Sequence, residues 1–252
     1  MNVILMTSSF SPTINGFKAM ANQMDGWDVK ANRLVALIDI MGFKDMVARS
    51  PHEQIYDMML NVNKNIQKSV GIKWTNTSQG LVNTTSYSDS IMLYSKNSNL
   101  DSFNAFANSV ALLTNDLLSD CIPHKGSIAF GEMTLDIKNS IFFGQPLIDA
   151  FLLQEELKFY GIVLHASAEQ ALKPYTERLK INFVETYRCF FKQGEASNMV
   201  IYPMYAKNMK GKFPDQIKKL QESINGLRHK TSGHLRSFID NTEAYLSYLR
   251  KM

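Results

Sequence analysis

Residues 34–45 read LVALIDIMGFKD, an apolar run that is interrupted by Asp39 and followed by Gly42. The run is too short for a buried helix and is rich in branched residues, so it predicts a strand buried on both faces. A buried, unpaired carboxylate is costly unless something neutralises it. The segment therefore predicts a strand and turn whose aspartate needs a lysine or arginine partner, a structural hydrogen-bond network, or a metal ion.

The composition is that of an ordinary globular protein. Its 252 residues are 45% hydrophobic and 20% charged, and the net charge of +4 permits an anionic ligand without requiring one. Cys121 and Cys189 are too few for a disulfide framework. The apolar runs are too short to predict a membrane span, and the N-terminal stretch does not have the pattern of a signal peptide. The sequence also lacks the alternation of basic and aromatic residues that would indicate a nucleic-acid-binding surface. We expect a cytoplasmic protein that binds neither nucleic acid nor membrane.

The order of the predicted elements indicates an α+β fold. Apolar residues recur at helical spacing over residues 50–71, where Ser50 and Glu53 form a capping-box pattern. A hairpin is predicted over residues 72–95, a helix over 99–121, strands over 124–144, a helix over 146–159 and a strand over 161–167. Strand, helix, hairpin, helix and strand in this order predict a ferredoxin-like βαββαβ core.

Two additions flank the predicted core domain of residues 32–210. Residues 1–31 show weak periodicity and predict an N-terminal arm. Residues 187–193 and 196–205 predict a late antiparallel pair of strands. Residues 211–252 predict a C-terminal helical extension, which we expect Gly226 and Gly233 to divide into two pieces.

The predicted strand order places a second aspartate close to Asp39. Asp89 lies in SYSDSIMLYS, residues 86–95, and in a βαββαβ core the first strand lies beside this hairpin, so Asp39 and Asp89 can meet. Adjacent carboxylates repel unless a cation lies between them, and Mg²⁺ or Mn²⁺ with a nucleoside triphosphate suits such a pair. The Gly42–Phe43 turn can direct backbone N–H groups at a phosphate, and Lys44 adds a charge. A structural, hydrogen-bonded aspartate remains the alternative at this point.

Four segments resemble motifs of the class III nucleotide cyclases. DIMGFKDMV (39–47) resembles their D-hydrophobic-x-G-F-T segment, and SYSDSIML (86–93) resembles their G-D-x-x-M hairpin, with Ser88 in place of the glycine. KGSIAFGEM (125–133) resembles their R-x-G-I-x-x-G strand. FFGQPLIDAFLLQEELKFYGIVLHAS (142–167) resembles their glycine-led helix and the strand after it. The segments occur in order and span roughly residues 33–170.

This resemblance implies a fold, a reaction and a metal site. It implies a class III cyclase core that works as a homodimer with sites at the interface. Asp39 and Asp89 would hold two divalent ions, Mn²⁺ or Mg²⁺, with the Ile40 carbonyl as an extra ligand. The ribose 3′-oxygen would attack the α-phosphate and expel pyrophosphate, which gives a 3′,5′-cyclic nucleotide.

The departures from the family pattern concern the base and the transition state. Thr85 stands where adenylyl cyclases carry a base-reading lysine. Ile148 and Leu152, counted from Gly144, stand where the family has asparagine and arginine, and neither can donate a hydrogen bond. Either activity is lost or other donors act, and Lys125 is the first candidate. The other candidates, which we expect to form a solvated helix face, are Arg228, His229, Lys230, His234 and Arg236.

Without the purine-reading lysine, and with its Lys-Gly-x-Ile motif and helical extension, the chain resembles the pyrimidine cyclases of bacterial Pycsar anti-phage defence. This implies conversion of UTP, or CTP, to a cyclic monophosphate that activates a separate effector protein. Thr85 and Tyr87 are expected to read or stack on the base, with Phe43 at its border. The alternatives are a purine cyclase, or a catalytically inactive domain that binds a nucleotide or a partner. No GGDEF-like segment indicates a diguanylate cyclase.

Overall fold

The computed structural model describes residues 26–72, 80–175, 184–201, 213–229 and 231–251. The strands are β1 (Lys30–Ile40), β2 (Val82–Tyr87), β3 (Ser90–Ser95), β4 (His124–Asp136), β5 (Ile141–Gly144), β6 (Ile162–Leu164), β7 (Val184–Phe191) and β8 (Gly194–Ile201). The α-helices are α1 (Phe43–Arg49), α2 (His52–Gly71), α3 (Leu100–Ser119), α4 (Gln145–Glu156), α5 (Ala166–Leu172), α6 (Phe213–Arg228) and α7 (Arg236–Arg250).

One sheet runs through the described residues in the order β2-β3-β1-β4-β6-β8-β7, with β5 paired to β4. Its first four strands are antiparallel neighbours, with β1 between β3 and β4. Because α2 connects β1 to β2 and α3 connects β3 to β4, this is the ferredoxin-like arrangement, and the predicted α+β fold class is confirmed. The late antiparallel pair is also confirmed as β7 and β8; residues 202–205 of that prediction lie outside the described residues.

The central strand β1 has a neighbour on both sides and is covered on both faces. Successive side chains of a strand point to opposite faces. On the face covered by α2 and α3, Leu34, Ala36 and Ile38 pack into the main apolar core. We call this the helical face. On the other face, which α4 covers next to β1 and β4, Val35 packs with Tyr94 in a smaller cluster. We call this the α4 face, and Arg33, Leu37 and Asp39 share it by alternation.

Two predicted helix boundaries are wrong. The expected capping box of Ser50 and Glu53 is absent, because α2 begins at His52 after Pro51, whose fixed φ of −56° suits a helix start. Ser50 instead ends α1, where its N–H donates to the Met46 carbonyl. The helix predicted to reach residue 159 ends at Glu156, because Leu157 turns extended and pairs with Phe191 beside the sheet.

The C-terminal helices are parts of the same packed body as the late strands. Ile217, Leu246 and Leu249 lie in one apolar cluster with Val163 of β6 and Val200 of β8. Contrary to prediction, Gly226 lies inside α6, and the two helices are separated after Arg228. There Gly233 has a left-handed φ of 62°, which favours glycine. In the part of the chain that is described, no helix has the length and apolarity needed to cross a bilayer.

Residues 1–25 of the predicted N-terminal arm lie outside the described residues. The described end of that segment is packed, since the Trp27 indole N–H donates to the Gly80 carbonyl at 3.0 Å. The Trp27 ring also meets Tyr94 edge-on, with the ring centroids 5.8 Å apart. The boundaries of the arm and of the extension stay predictions.

Candidate functional site

The strand order brings the two aspartates together at one end of the sheet. Asp39 pairs in register with Ser90 of β3 on one side and with Lys125 of β4 on the other. The next residue, Ile40, donates its N–H to the Asp89 carbonyl at 2.9 Å. The end of β1 is thereby tied to the hairpin that carries Asp89. Two motifs that are 50 residues apart in the sequence thus form one local structure.

Asp89 lies in a tight hairpin between β2 and β3. Tyr87 and Ser90 are paired, so Ser88 and Asp89 form a two-residue turn. Ser88 has a φ of 54°, in the left-handed region. Two-residue hairpins favour glycine at such a position, because a side chain there is strained. This conformation supplies a physical reason for a glycine at the equivalent place in the resembled motif, and it shows that the chain tolerates serine.

Asp39 carries a charge that the protein leaves largely uncompensated. Among the described residues its carboxylate makes no hydrogen bond and no ion pair within 4.0 Å. Burial, the largest cause, and the negative charges of Asp89 and Glu155 together raise the pKa of Asp39 to about 6, although the positive charge of Lys125 opposes them. Of the three solutions that the sequence left open, the described residues supply neither a paired lysine nor a hydrogen-bond network.

Lys125 lies on the same face and reaches toward α4. Its side chain is only 7% exposed, and its Nζ lies 3.4 Å from Oε1 of Glu155 in the last turn of α4. The other carboxylate oxygen of Glu155 lies 4.0 Å from Nζ of Lys192, at the turn between β7 and β8. Glu155 and Lys192 were not anticipated from the sequence. The acidic pair Glu155–Glu156 at the end of a mostly apolar helix was the signal that could have indicated them.

The pair of aspartates has the chemistry of a divalent-ion site. Carboxylate oxygens are the ligands that Mg²⁺ and Mn²⁺ prefer, and Mg²⁺ in phosphate chemistry uses one or two carboxylates with the phosphates of the substrate. Within the described residues no cluster of three or more His, Cys, Asp or Glu side chains could form a cage of protein ligands alone. Asp39 and Asp89 could hold a divalent ion whose remaining ligands are waters or the oxygens of a bound phosphate.

The turn after β1 carries three predicted nucleotide contacts, Gly42, Phe43 and Lys44, and the second of them does not lie on the α4 face of the sheet. Gly42 has a left-handed φ of 76° and precedes α1, which has seven residues and thus only a small dipole. Lys44 is exposed on α1. The Phe43 ring packs against the core of the helical face, so the structure does not bring it together with Thr85 on the α4 face.

Thr85 and Tyr87 share the α4 face with Asp39. Thr85 pairs with Met92 of β3, which pairs in turn with Leu37 of β1, so alternation places their side chains on that face. The Thr85 hydroxyl lies 3.3 Å from the hydroxyl of buried Tyr94. Tyr87 is 85% exposed at the end of the hairpin. The candidate base contacts and the aspartate pair are thus on one side of the sheet.

The positions that lack the family's polar donors form an exposed apolar surface. Ile148 and Leu152 are both more than half exposed, at 53% and 58%, on the outer side of α4. We define the α4 patch as these two with Phe151, which is 50% exposed and lies on the same side of the helix by its spacing: Ile148, Phe151 and Leu152. No side chain of the patch can donate a hydrogen bond to a phosphate.

The basic C-terminal residues are divided between ion pairs and solvent. The Arg228 guanidinium lies 2.7 Å from Asp240 and 2.6 Å from Glu243, so it holds α6 against α7. The Arg236 side chain donates to the Thr231 carbonyl, and His234 is exposed. Lys230 lies outside the described residues. These contacts give the cluster a structural role at the helix junction.

No family model matches the chain, and no curated protein sequence does either. Solved structures similar to it include the adenylyl cyclase CyaB from P. aeruginosa, with 12% identity over 72% of this chain and 98% of that one, and a TM-score of 0.48. The guanylyl cyclase Cya2 has 11% identity over 73% of this chain and 98% of that one, with a TM-score of 0.48. The catalytic core of a rhodopsin-guanylyl cyclase with converted specificity, in complex with ATPalphaS, has 15% identity over 69% and 96% and a TM-score of 0.46.

Proposed function

We propose that this chain is a nucleotide cyclase that converts UTP, or CTP, to the 3′,5′-cyclic monophosphate and pyrophosphate. The observation that carries the proposal is Asp39, a half-buried carboxylate beside Asp89 that makes no hydrogen bond or ion pair among the described residues. A fold does not keep such a charge without a use, because an unpaired carboxylate destabilises it. A divalent cation with a triphosphate is the ligand that relieves this repulsion.

Each site residue has a role in this reaction. Asp39, Asp89 and the Ile40 carbonyl would hold two divalent ions, Mn²⁺ or Mg²⁺, which when bound supply positive charge at the attacking and leaving oxygens. The 3′-hydroxyl releases its proton to solvent as its oxygen forms a bond to the α-phosphorus, the bond from that phosphorus to the bridging oxygen breaks, and pyrophosphate leaves with the electron pair of that bond. Lys125, whose ammonium lies in the same site, binds the phosphates and stabilises their charge.

The base contacts are proposed to come from β2. A threonine hydroxyl both donates and accepts, so Thr85 suits either a pyrimidine carbonyl or an amine. Its contact with the Tyr94 hydroxyl orients it. The exposed ring of Tyr87 is available to stack on the base. A short, neutral side chain in place of a lysine also leaves room on this face, with Leu37 and Met92 as an apolar floor.

A homodimer is proposed on the α4 patch. Contiguous exposed apolar surface marks interaction sites, and α4 covers the face that carries Asp39. A partner on this patch would pack against the helix that covers the face carrying Asp39. We expect a dimer in analytical ultracentrifugation and a monomer when Phe151→Asp places a charge in the patch. A wild-type monomer with full activity would contradict the dimer.

The biological role follows from the product. A cyclic pyrimidine nucleotide made in the cytoplasm would act as a second messenger that switches on a separate effector protein in anti-phage defence. This part of the proposal rests on the resemblance to the pyrimidine cyclases, which is carried by Thr85 in place of the purine-reading lysine, the Lys-Gly-x-Ile motif and the helical extension.

The decisive experiment is a product assay. The purified protein is incubated separately with ATP, GTP, CTP and UTP in the presence of Mn²⁺, and products are identified by mass, with Asp39→Asn as the matched control. Cyclic UMP or cyclic CMP that disappears in the variant supports the proposal. Cyclic AMP or cyclic GMP would keep the reaction and overturn the role of Thr85. No product from any substrate would favour a nucleotide-binding domain without turnover.

A further inference from the structure

Lys125 and Asp39 are opposite each other on neighbouring strands, yet they do not form an ion pair. They are register partners in the antiparallel pair of β1 and β4, and alternation places both side chains on the α4 face. Side chains directly opposite have Cβ atoms about 4.5–5.5 Å apart, and opposite charges in such positions attract. A lysine side chain is long enough to cover this distance. The expected partner of Lys125 on the sheet is therefore Asp39.

The structure shows a different partner. Lys125 Nζ lies 3.4 Å from Glu155, and among the described residues it makes no ion pair with Asp39. Because the Lys125 side chain is only 7% exposed, its ammonium cannot be solvated by turning outward. Two carboxylates are therefore available to pair with this ammonium, one on the adjacent strand and one on the helix that covers it.

Glu155 is itself held in place from the opposite side. Its second oxygen lies 4.0 Å from the ammonium of Lys192. The backbone N–H of Lys192 donates to the Glu156 carbonyl at 2.8 Å, which joins the turn between β7 and β8 to the last turn of α4. The Glu155 carboxylate thus interacts electrostatically with the ammonium groups of two lysines and attracts that of Lys125 toward α4.

We propose that Glu155 is a positioning residue that holds the Lys125 ammonium away from Asp39, so that the Asp39 carboxylate stays open to a divalent cation. Without Glu155, Lys125 would pair with Asp39 and occupy the place of the cation with its own charge. The inference rests on the proposed metal site, and it assigns a role to a side chain outside that site's ligands. It also places Lys125 where a phosphate can compete with Glu155 for the ammonium.

The test measures Mn²⁺ binding to the nucleotide-free protein by electron paramagnetic resonance of the free ion. Glu155→Gln keeps the shape and removes the charge, and its 46% exposure makes loss of folding unexpected; circular dichroism checks this. We expect Mn²⁺ affinity to fall about tenfold or more, the effect typical of partners that orient a ligand. Glu156→Gln is the matched control, since Glu156 is the adjacent carboxylate and faces Lys192. It should leave the affinity unchanged.

Glu155→Gln combined with Lys125→Met distinguishes positioning of the Lys125 ammonium from a simple effect of the Glu155 charge. If Glu155 acts by restraining Lys125, Glu155→Gln should change Mn²⁺ affinity by less than about threefold once Lys125 is absent. An equal loss in both backgrounds would overturn the inference, because it would make Glu155 a ligand or a plain source of negative potential. An unchanged affinity in the single variant would overturn it too. Wild-type Mn²⁺ binding that is absent, or insensitive to Asp39→Asn, would instead refute the metal site itself.

Discussion

Strand β1 carries a buried charge, Arg33, and a half-buried charge, Asp39, on one face six positions apart, and their surroundings differ. Arg33 has 0% exposure, and its guanidinium donates to the carbonyls of Ser95, Lys96 and Asp28. It also lies 5.1 Å from the centre of the Trp27 ring. Asp39, at the other end, has no such partners among the described residues. A buried charge that is surrounded by donors or acceptors holds structure together, whereas one left open is available for a ligand.

Asp39→Asn should produce the largest effect on activity. Losing a carboxylate ligand should lower cyclic nucleotide formation by more than about a thousandfold, since effects of residues that act as one unit are large. The free energy of unfolding at pH 7 should rise by about 1 kcal/mol, because the raised pKa of this partly exposed group marks an unfavourable charge. Product assays and urea unfolding measure the two. A variant that loses stability along with activity would make Asp39 a structural residue.

Arg33→Met should produce the reverse pattern. Removing the guanidinium leaves the three carbonyls without their donor, and an unsatisfied buried acceptor costs about 1–3 kcal/mol. The urea midpoint should fall sharply, while the folded fraction should retain its turnover per molecule. A loss of turnover without a loss of stability would break the comparison between the two ends of β1.

The pH dependence of the free energy of unfolding should show a contrast between His124 and Asp39. His124 is fully buried, its Nδ1 lies 3.0 Å from the Ile122 carbonyl, and burial lowers its pKa to about 4. Between its unfolded value of 6.5 and 4, the unfolded chain binds a proton that the folded chain does not. His124 should therefore remove about 3 kcal/mol of stability as pH falls through this window.

Protonation of Asp39 changes the free energy of unfolding in the opposite direction in part of that pH window. Its folded pKa of about 6 lies above its unfolded 3.8, so protonation in the folded state adds stability as pH falls from 6 to 3.8. Asp39→Asn should make the acid loss steeper, and His124→Gln should flatten it. Urea unfolding at a series of pH values measures both slopes. Identical slopes in all three proteins would refute these assignments.

Ser88→Gly should have the smallest effect. It relieves a left-handed φ of 54° in the hairpin that carries Asp89, which should raise the free energy of unfolding by about 1 kcal/mol. Product formation should be retained, since Asp89 keeps its place. Thermal unfolding with a parallel product assay would check this. A destabilised variant would show that the Ser88 side chain contributes more than its backbone strain costs.

Short-range patterns anticipated most of the fold. The apolar run around Asp39, the hairpin around Asp89 and the periodicity of α3 each describe local structure, and burial and alternation act at that range. The errors fall where the local pattern competes with a second constraint, once from a neighbouring residue and once from a distant strand. Pro51 replaced the expected cap at the start of α2, and a pairing with Phe191 overrode the helical pattern at Leu157.

The sequence by itself determined the strand order and the two aspartates, because each lies in a contiguous segment with its own periodicity. Only the tertiary structure decided what surrounds them. Glu155 and Lys192 reach Lys125 from a helix and from a distant hairpin, and Phe43 turns to the opposite face. Such contacts depend on how helices pack on the sheet. That packing is the sum of many weak, non-local interactions, and no spacing in the chain encodes it.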